Sequence, residues 1–463
     1  MAKNKILENI EIEKLAAEGK AIARVDGLVV FVKNAVPGDV VDIKITRKRK
    51  KFYEGVAVKF HKLSDKRVEP KCQHFGVCGG CKWQNLDYQQ QIYYKHQQVV
   101  ETFEHLAGIS PKYIRPIVPS PEIYFYRNKL EFTFSRHRWL TDKDPQSQEH
   151  PPALGFHAPM KFDKVVDIFQ CWLQPEPSNQ IRNLVRQLAL ENDFSFYDIR
   201  NHTGFLRNLV VRNNLAGEFM VMIIVAQDRP GDIKLILDTI AQKFPQVVSL
   251  YYMINQKKND SYADLTPVHY KGEKYLVENL DGLRFRIHPK SFFQTNTRQG
   301  LQLYRIAREF AALTGNEIVY DLYTGTGTIA LFVADRAKKV IGIEYIAEAI
   351  EDARRNAQLN GINNAEFFTG DIKDIMTPQF FDLNGKPDVI ILDPPRSGMH
   401  KNVVEAIKFA APRRIVYVSC NPATQARDVA LLADMYDLEA AQPVDMFPHT
   451  HHVENVVLLQ RKN

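Results

Sequence analysis

Residues 316–362 read NEIVYDLYTGTGTIALFVADRAKKVIGIEYIAEAIEDARRNAQLNGI, and this stretch decides the fold class. An apolar run leads into a glycine-rich turn at Gly325 and Gly327, and a helical pattern, a second apolar run and a second helical pattern follow. Apolar runs that alternate with helices predict parallel strands covered on both faces. The stretch therefore predicts a doubly wound, Rossmann-like α/β domain that binds its ligand beyond the carboxyl ends of the strands.

The same pattern continues towards the end of the chain. PDVIILDPPRSG (387–398) and RRIVYVSCNP (413–422) each give an apolar strand followed by a loop, so we assign residues 286–463 to this domain. At the other end, residues 1–62 contain several short alternating segments separated by turns such as Asp26-Gly27. This spacing predicts a small β-barrel.

Residues 63–285 form a mixed zone between these two, and we expect an α+β domain there. Helical patterns cover LDYQQQIYYKHQQVVETFEHL and SNQIRNLVRQLALEN, with strand patterns elsewhere. Polar residues and prolines near 142–152 predict a surface loop.

Composition narrows the class of protein. The chain has 463 residues, enough for two to four domains, with 45% hydrophobic and 25% charged residues, as in ordinary globular proteins. It has no apolar run of 18 residues and no signal-peptide pattern, so we expect a cytoplasmic protein without a membrane partner. The net charge of +7 favours an acidic partner such as nucleic acid. We expect a monomer.

Carboxylates follow several of the predicted strands. A GxG turn alone is weak evidence, and the small residue Ala330 keeps a dinucleotide site open. Glu344 ends the next strand and could accept hydrogen bonds from both ribose hydroxyls, while Asp371 ends another candidate strand, where it could reach an adenine edge. With Asp393 in the DPPR stretch, these acids favour S-adenosylmethionine as the cofactor.

Cys420 follows a buried strand on the same ligand-facing edge. A buried cysteine is often only structural. Its place beside Asp393, however, favours a nucleophile that adds to C6 of a pyrimidine, so that C5 becomes reactive toward a methyl donor. A base must then remove the C5 proton, and Glu454 in DMFPHTHHVENVVLLQ is the candidate, although it could simply end a loop before the last strand. Arg396 stands where enzymes that methylate amino groups often carry an aromatic residue, which favours a carbon acceptor.

Several motifs together resemble one known family. FFQTN (292–296), DLYTGTGT, LDPPRSG, VSCNPAT and DMFPHTHHVE occur in the order found in RNA uracil-C5 methyltransferases, and the N-terminal barrel resembles a TRAM domain. The resemblance implies that Gln294, Tyr323, Glu344 and Asp393 contact S-adenosylmethionine or the target site. It also implies that Cys420 is the nucleophile and Glu454 the proton-removing base, in an enzyme that forms 5-methyluridine.

The other four cysteines form a candidate metal site. Cys72, Cys78 and Cys81 are spaced C-x5-C-x2-C, and Cys171 completes a set of four thiols. The spacing alone is compatible with zinc or with an iron–sulfur cluster. The family resemblance implies a [4Fe-4S] cluster and, because the transfer-RNA branch generally lacks these cysteines, 23S ribosomal RNA as the substrate.

Basic residues supply candidate RNA contacts. Lys48 and Arg49 lie in a basic run at the tip of a predicted barrel hairpin, which could be a solvated tip or a patch that contacts phosphates. Arg127 lies in YFYRNKLEF, which resembles a family segment near the RNA. Two alternatives to a 23S ribosomal RNA enzyme stay open, namely a transfer-RNA uracil-C5 methyltransferase and a non-catalytic RNA-binding or ribosome-assembly factor. A cytosine-C5 enzyme is disfavoured because no cysteine follows Pro394 or Pro395.

Overall fold

The computed structural model describes residues 5–16, 19–140 and 151–463 of the chain. Nearly all of the surface loop predicted at 142–152 lies outside the described residues. Among the helices of the described residues, none is long and apolar enough to cross a bilayer.

The first sheet is a small, strongly curved N-terminal unit. Its six strands follow the order β1-β5-β6-β4-β3-β2. Their bounds are β1 (Ile6–Glu11), β2 (Lys14–Leu15), β3 (Ala21–Val25), β4 (Leu28–Lys33), β5 (Val40–Lys48) and β6 (Phe52–Lys62). Successive side chains of a strand point to opposite faces, so Val41, Ile43 and Ile45 of β5 all enter the unit's own apolar core. Three register shifts between β5 and β6 help the small sheet to bend around that core, as in the predicted barrel.

A second, seven-stranded sheet occupies the middle of the chain, in the order β13-β12-β11-β10-β7-β8-β9. Its strands are β7 (Lys129–Ser135), β8 (Ala153–His157), β9 (Val165–Asp167), β10 (Leu206–Asn213), β11 (Phe219–Val225), β12 (Val247–Ile254) and β13 (Val268–Gly272). Helices α2 (Ser178–Glu191) and α3 (Pro230–Lys243) contribute to the apolar core on one face. Both strand patterns and helices are present, as expected of an α+β unit.

The C-terminal sheet has the doubly wound architecture predicted from residues 316–362. Its order is β18-β17-β16-β19-β20-β22-β21, with the first five strands parallel and the last two antiparallel. The strands are β16 (Ile318–Leu322), β17 (Lys339–Glu344), β18 (Ala365–Thr369), β19 (Val389–Leu392), β20 (Arg414–Ser419), β21 (Tyr436–Val444) and β22 (Glu454–Arg461). The strand order reverses between β16 and β19, and such a reversal opens a crevice for ligands.

Helices cover both faces of this sheet. They are α4 (Thr297–Ala311), α5 (Thr328–Val333), α6 (Ala347–Leu359), α7 (Ile372–Ile375), α8 (Pro378–Asn384), α9 (Lys401–Ala410) and α10 (Pro422–Leu432). Polar side chains begin several of them: Asn296 accepts from the Gln299 amide at the start of α4, and Asn421 accepts from the Ala423 amide at the start of α10. These caps satisfy amide groups that have no partner inside the helix.

Packing crosses the boundary predicted at 285. Helix α1 (Tyr88–Ala107) comes from the middle of the sequence, but its buried Val99 and Phe103 share a core with α10 and the C-terminal sheet. The hairpin of β14 (Leu276–Leu280) and β15 (Leu283–Ile287) likewise belongs to a core that joins the central and C-terminal sheets. The N-terminal unit keeps its own core, whereas the second and third predicted domains share theirs.

Candidate active site

The glycine-rich turn after β16 gives the site its floor. Gly325 and Gly327 have positive φ angles of 55° and 79°, which glycine adopts without steric cost. A Cβ atom at position 327 would lie 2.9 Å from the Cβ of Ala353, so only glycine fits there without displacing its neighbours. The buried carboxylate of Asp321 accepts hydrogen bonds from the Ala330 amide and the Thr324 hydroxyl, and thereby fixes the turn.

Glu344 closes one side of this turn at the end of β17. Its Oε2 accepts from the Gly325 amide at 3.2 Å and its Oε1 accepts from the Ile346 amide at 3.0 Å. Both oxygens keep free lone pairs, because a carboxylate can accept about four hydrogen bonds in all. Glu344 is thus held in place at the position predicted for a ribose contact and can still accept from a ligand.

Two other predicted cofactor residues, Tyr323 and Asp371, differ in how firmly the protein holds them. Tyr323 is half-buried with a φ of 63°, and burial beside Asp371 and Asp428 raises the pKa of its phenol to about 12. Asp371 does not end a strand as predicted, since β18 stops at Thr369. It caps the start of α7 instead. Its carboxylate accepts a hydrogen bond from the backbone amide of Lys373 at 3.2 Å and forms an ion pair with the side-chain ammonium of Lys373 at 2.6 Å.

Gln294 lies on the segment before α4, and its side chain is 9% exposed. The backbone oxygen of Gln294 accepts from the Asn128 amide group at 2.8 Å, which ties this segment to the YRNK stretch. The structure therefore places Gln294 near the edge shared by the central and C-terminal sheets.

Cys420, Asp393 and Glu454 converge at the carboxyl ends of β19 and β20 and the start of β22. Their charges interact: burial, then Glu454 and Asp393, raises the pKa of the Cys420 thiol to about 11. Burial, with Asp393 next, raises the pKa of Glu454 to about 8. Asp393 keeps some exposed surface at the pocket wall, but protein encloses its carboxylate, and this burial together with Asp321 raises its pKa to about 7. Three groups predicted from separate motifs thus form one electrostatically coupled site.

Arg396 completes this group in a role that the sequence did not reveal. Its guanidinium lies close to Cys420 and lowers the pKa of that thiol. It also lowers the pKa of Glu454. The backbone oxygen of Arg396 accepts from the Asn421 side chain at 3.1 Å and from the Thr424 hydroxyl at 3.2 Å. The start of α10 therefore holds the DPPR loop against the cysteine.

Tyr304 is a second site residue outside the predicted set. It lies on α4, is 4% exposed, and faces Asp393 and Asp321. Burial and these two carboxylates raise the pKa of its phenol well above the ordinary value. The only sequence signal was the apolar face of α4, which marks Tyr304 as a core residue and does not reveal the carboxylates beside it.

The four remaining cysteines meet at one cavity of about 540 Å³. None of them forms a disulfide. Burial raises the pKa of all four thiols, to about 12 for Cys78 and Cys81, and neighbouring cysteines raise each of these two further. The segment at 72–81 and the residue at 171 are thus brought together as the sequence predicted.

In the described ranges, no set of three or more His, Cys, Asp or Glu side chains is arranged to hold a metal ion. Around a tetrahedral zinc ion with bonds of about 2.3 Å, sulfur atoms stand about 3.8 Å apart. All four thiols line the same cavity. Their donor chemistry fits an iron–sulfur cluster, which takes four thiolates.

The predicted RNA contacts lie in two separate places. Lys48 and Arg49 are exposed at the β5–β6 hairpin, where the Lys48 ammonium lies 5.2 Å from the ring centre of Tyr53. Arg127 lines the cysteine cavity and lowers the pKa of Cys81 and Cys171. Its position suits a charge partner of the thiolates as well as an anion contact.

Comparison with known proteins adds the family. A model described as tRNA (Uracil-5-)-methyltransferase matches residues 269–462, and a TRAM domain model matches residues 8–58. A protein of Bacteroides thetaiotaomicron described as an uncharacterized RNA methyltransferase is 56% identical over 96% of this chain and 100% of its own length. One of Porphyromonas gingivalis with the same description is 51% identical over 98% of this chain and 99% of its own. The chain belongs to the RNA uracil-C5 methyltransferase family.

A solved structure agrees with this membership. The tRNA (uracil-54, C5)-methyltransferase of Pyrococcus abyssi, in complex with S-adenosyl-L-homocysteine, is 30% identical, with a TM-score of 0.75 over 97% of this chain and 99% of the other. This RNA uracil-C5 methyltransferase is accordingly an S-adenosylmethionine-dependent enzyme with a Rossmann-like catalytic domain and an N-terminal TRAM domain. The predicted family, fold class and methyl donor are confirmed.

Proposed function

We propose that this enzyme forms 5-methyluridine in 23S ribosomal RNA through a covalent bond between the Cys420 sulfur and C6 of the uracil. The observation that carries the proposal is the convergence of Cys420, Arg396, Asp393 and Glu454 in one electrostatically coupled cluster. Arg396 favours the thiolate, which adds to C6 and shifts electrons toward C5. C5 then attacks the methyl group of the sulfonium donor, and the donor leaves as S-adenosylhomocysteine.

Glu454 carries out the last step of the proposed mechanism. Its carboxylate removes the C5 proton, the C5–C6 double bond forms again, and the Cys420 thiolate is expelled. A base works best when its pKa is close to the operating pH. Burial raises the pKa of Glu454 to about 8, so the carboxylate is a stronger base than an exposed glutamate. The target uridine has to leave its stack to reach this enclosed pocket.

The residues around the crevice have separate proposed roles. Gln294, Tyr323 and Glu344 bind the methyl donor or the target base, together with Asp393 and Asp371. The Asp371 carboxylate already accepts a hydrogen bond from the Lys373 ammonium. Asp371 would therefore contact the methyl donor through its remaining lone pairs. Lys48, Arg49 and Arg127 contact RNA phosphates.

Four thiolates, from Cys72, Cys78, Cys81 and Cys171, would hold a [4Fe-4S] cluster. When bound, the cluster cross-links two segments of the chain and supplies no redox step to the methyl transfer. The convergence of four free thiols on one cavity supports this assignment. Arg127 and Arg182, which both lower the pKa of Cys171, would offset part of the negative charge of the cluster.

A transfer-RNA substrate is the second candidate, favoured by the similarity to the tRNA (uracil-54, C5)-methyltransferase of Pyrococcus abyssi. Mapping methyluridine in ribosomal and transfer RNA, from cells with and without this gene, distinguishes the two. Loss of a 23S methyluridine supports the main proposal, loss of a transfer-RNA methyluridine supports the second, and loss of neither contradicts both. Denaturing gels test the mechanism, because Glu454→Gln should accumulate an RNA–protein adduct that is absent from Cys420→Ala.

A further inference from the structure

The loop at 445–453 joins β21 to β22 and leads directly into Glu454. Helix α1, more than 300 residues earlier in the sequence, holds this loop. The Lys95 ammonium donates to Oδ1 of Asp445 at 2.6 Å and to the backbone oxygen of Phe447 at 3.0 Å. One turn earlier in the helix, Gln91 accepts from the His449 amide at 2.8 Å. Three residues of the loop are thus fixed by two side chains of one helix.

The pair of Lys95 and Asp445 is fully buried, with both side chains 0% exposed. Removing two charges from water is costly, and apolar residues of similar volume often give equal or greater stability. A buried ion pair does restrict the positions of its two side chains, because it forms only when both are correctly placed. Tyr88 adds a third constraint by donating to Oδ2 of Asp445 at 2.9 Å. These contacts therefore suit a role in positioning the loop at 445–453 better than a role in stabilising the fold.

The loop also lies beside the proposed catalytic cluster. Burial, the neighbouring His451 and then Arg396 lower the pKa of His452 to about 3, so this neutral imidazole lies close to the guanidinium that also lowers the pKa of Cys420. The two ends of the loop are joined by β-pairing of Val444 with Glu454. A shift of the loop would therefore alter how well Glu454 is shielded from water.

We propose that Lys95 and Gln91 are positioning residues, which fix loop 445–453 and so hold Glu454 in the geometry needed to remove the C5 proton. The inference rests on the proposed covalent mechanism. Neither residue lies within the range of 269–462 that matches the family model, so the catalytic unit recruits a helix from outside it.

The test separates methyl transfer from release of the adduct. In single-turnover experiments with Lys95→Met, we expect methyl transfer to stay within about 2-fold of the wild type. Release of the RNA adduct should slow by about 10- to 100-fold, the size of effect produced by small misplacements of a catalytic group. The full-length, cluster-loaded protein is used throughout. Glu101→Gln is the matched control. Glu101 lies on the same helix as Lys95, and its substitution breaks only an exposed ion pair with Lys14 of β2.

Because Lys95→Met leaves a buried carboxylate unpaired and could fail to fold, the double variant Lys95→Met/Asp445→Asn is measured beside it. This variant removes both charges and should still release the adduct slowly. Adding Lys95→Met to Glu454→Gln should slow release no further, since both changes act on one step. The inference is overturned if the double variant releases the adduct at the wild-type rate, or if methyl transfer slows as much as release.

A pH profile gives an independent readout. If the loop is loosened, water reaches Glu454, and the alkaline rise in the release rate should move to lower pH. The groups that face this carboxylate are Asp393, Arg396, Cys420 and Tyr304, and all stay in place in Lys95→Met. If Cys420→Ala still forms an adduct, the proposed function itself has failed. If Cys420→Ala is inactive but Lys95→Met has a wild-type profile, only the positioning inference fails.

Discussion

Replacing Glu454 by Gln is expected to stabilise the RNA-free protein at alkaline pH while slowing turnover. In the folded protein burial raises the pKa of this carboxyl from 4.5 to about 8. Between these two pH values the folded state binds a proton that the unfolded chain has already lost, so the stability of the wild type falls as the pH rises. The glutamine side chain of the variant does not titrate and keeps the shape of the protonated acid.

The structure sets the size of the effect. Each pH unit between the two pKa values contributes about 1.4 kcal/mol, so the advantage of the variant should grow from near zero at pH 4.5 to about 5 kcal/mol above pH 8. Glu454 is only 4% exposed, so solvent screening reduces this value little. With an unfolding entropy of about 2 cal/mol/K per residue over the whole chain, a gain of this size raises the melting temperature by roughly 5 °C.

Differential scanning calorimetry of both proteins between pH 5 and 9, at equal iron content, provides the measurement. Glu439→Gln is the control, because it alters an exposed carboxylate on the neighbouring β21. The reasoning is refuted if wild type and Glu454→Gln show the same dependence of melting temperature on pH. It is also refuted if the difference in stability between Glu454→Gln and the wild type becomes smaller from pH 5 to pH 8.

Further predictions concern the thiol, the RNA contacts and the cysteine cavity. Cys420→Ala should abolish turnover and leave S-adenosylmethionine binding within about 2-fold by calorimetry, because the donor crevice is unchanged; much weaker binding would contradict this. Arg396→Met should slow adduct formation about 10-fold at pH 7.5 and less at higher pH, because the Cys420 thiol loses a group that lowers its pKa. A loss of rate that is the same at every pH, measured by quenched flow, would contradict this. Replacing Lys48 and Arg49 by Ala should reduce the slope of log affinity against log salt by about 1.5, and an unchanged slope in fluorescence anisotropy would place them off the RNA. Cys72→Ser should lower iron content and melting temperature together, whereas unchanged iron would exclude this thiol as a ligand.

The parallel-strand part of the site could be predicted from the sequence for a simple physical reason. Strands buried on both faces are continuous apolar runs, so the ends of β17, β19 and β20 are visible as the points where polar residues begin. Glu344, Asp393 and Cys420 each stand at such a point. Parallel strands align these ends, and the structure brings Asp393 and Cys420 together as predicted.

The remaining features depend on contacts that a local pattern does not encode. Arg396 lies beside Cys420 because Asn421 and Thr424 donate to its backbone oxygen and hold the DPPR loop against α10. Asp371 was expected to end a strand, but a carboxylate two residues after a strand can equally begin a helix. The helical pattern of α1 was clear, yet an apolar stripe does not state which sheet it will cover.

The packing of α1 has a consequence for how this enzyme can be divided. A fragment that starts at residue 269 would contain every residue of the proposed chemistry. It would also leave a bare apolar surface on α10 and an orphaned carboxylate at Asp445, because Val99, Phe103 and Lys95 would be missing. The smallest self-sufficient catalytic body is therefore discontinuous in sequence, and fusion or shuffling between relatives has to transplant α1 along with the C-terminal half.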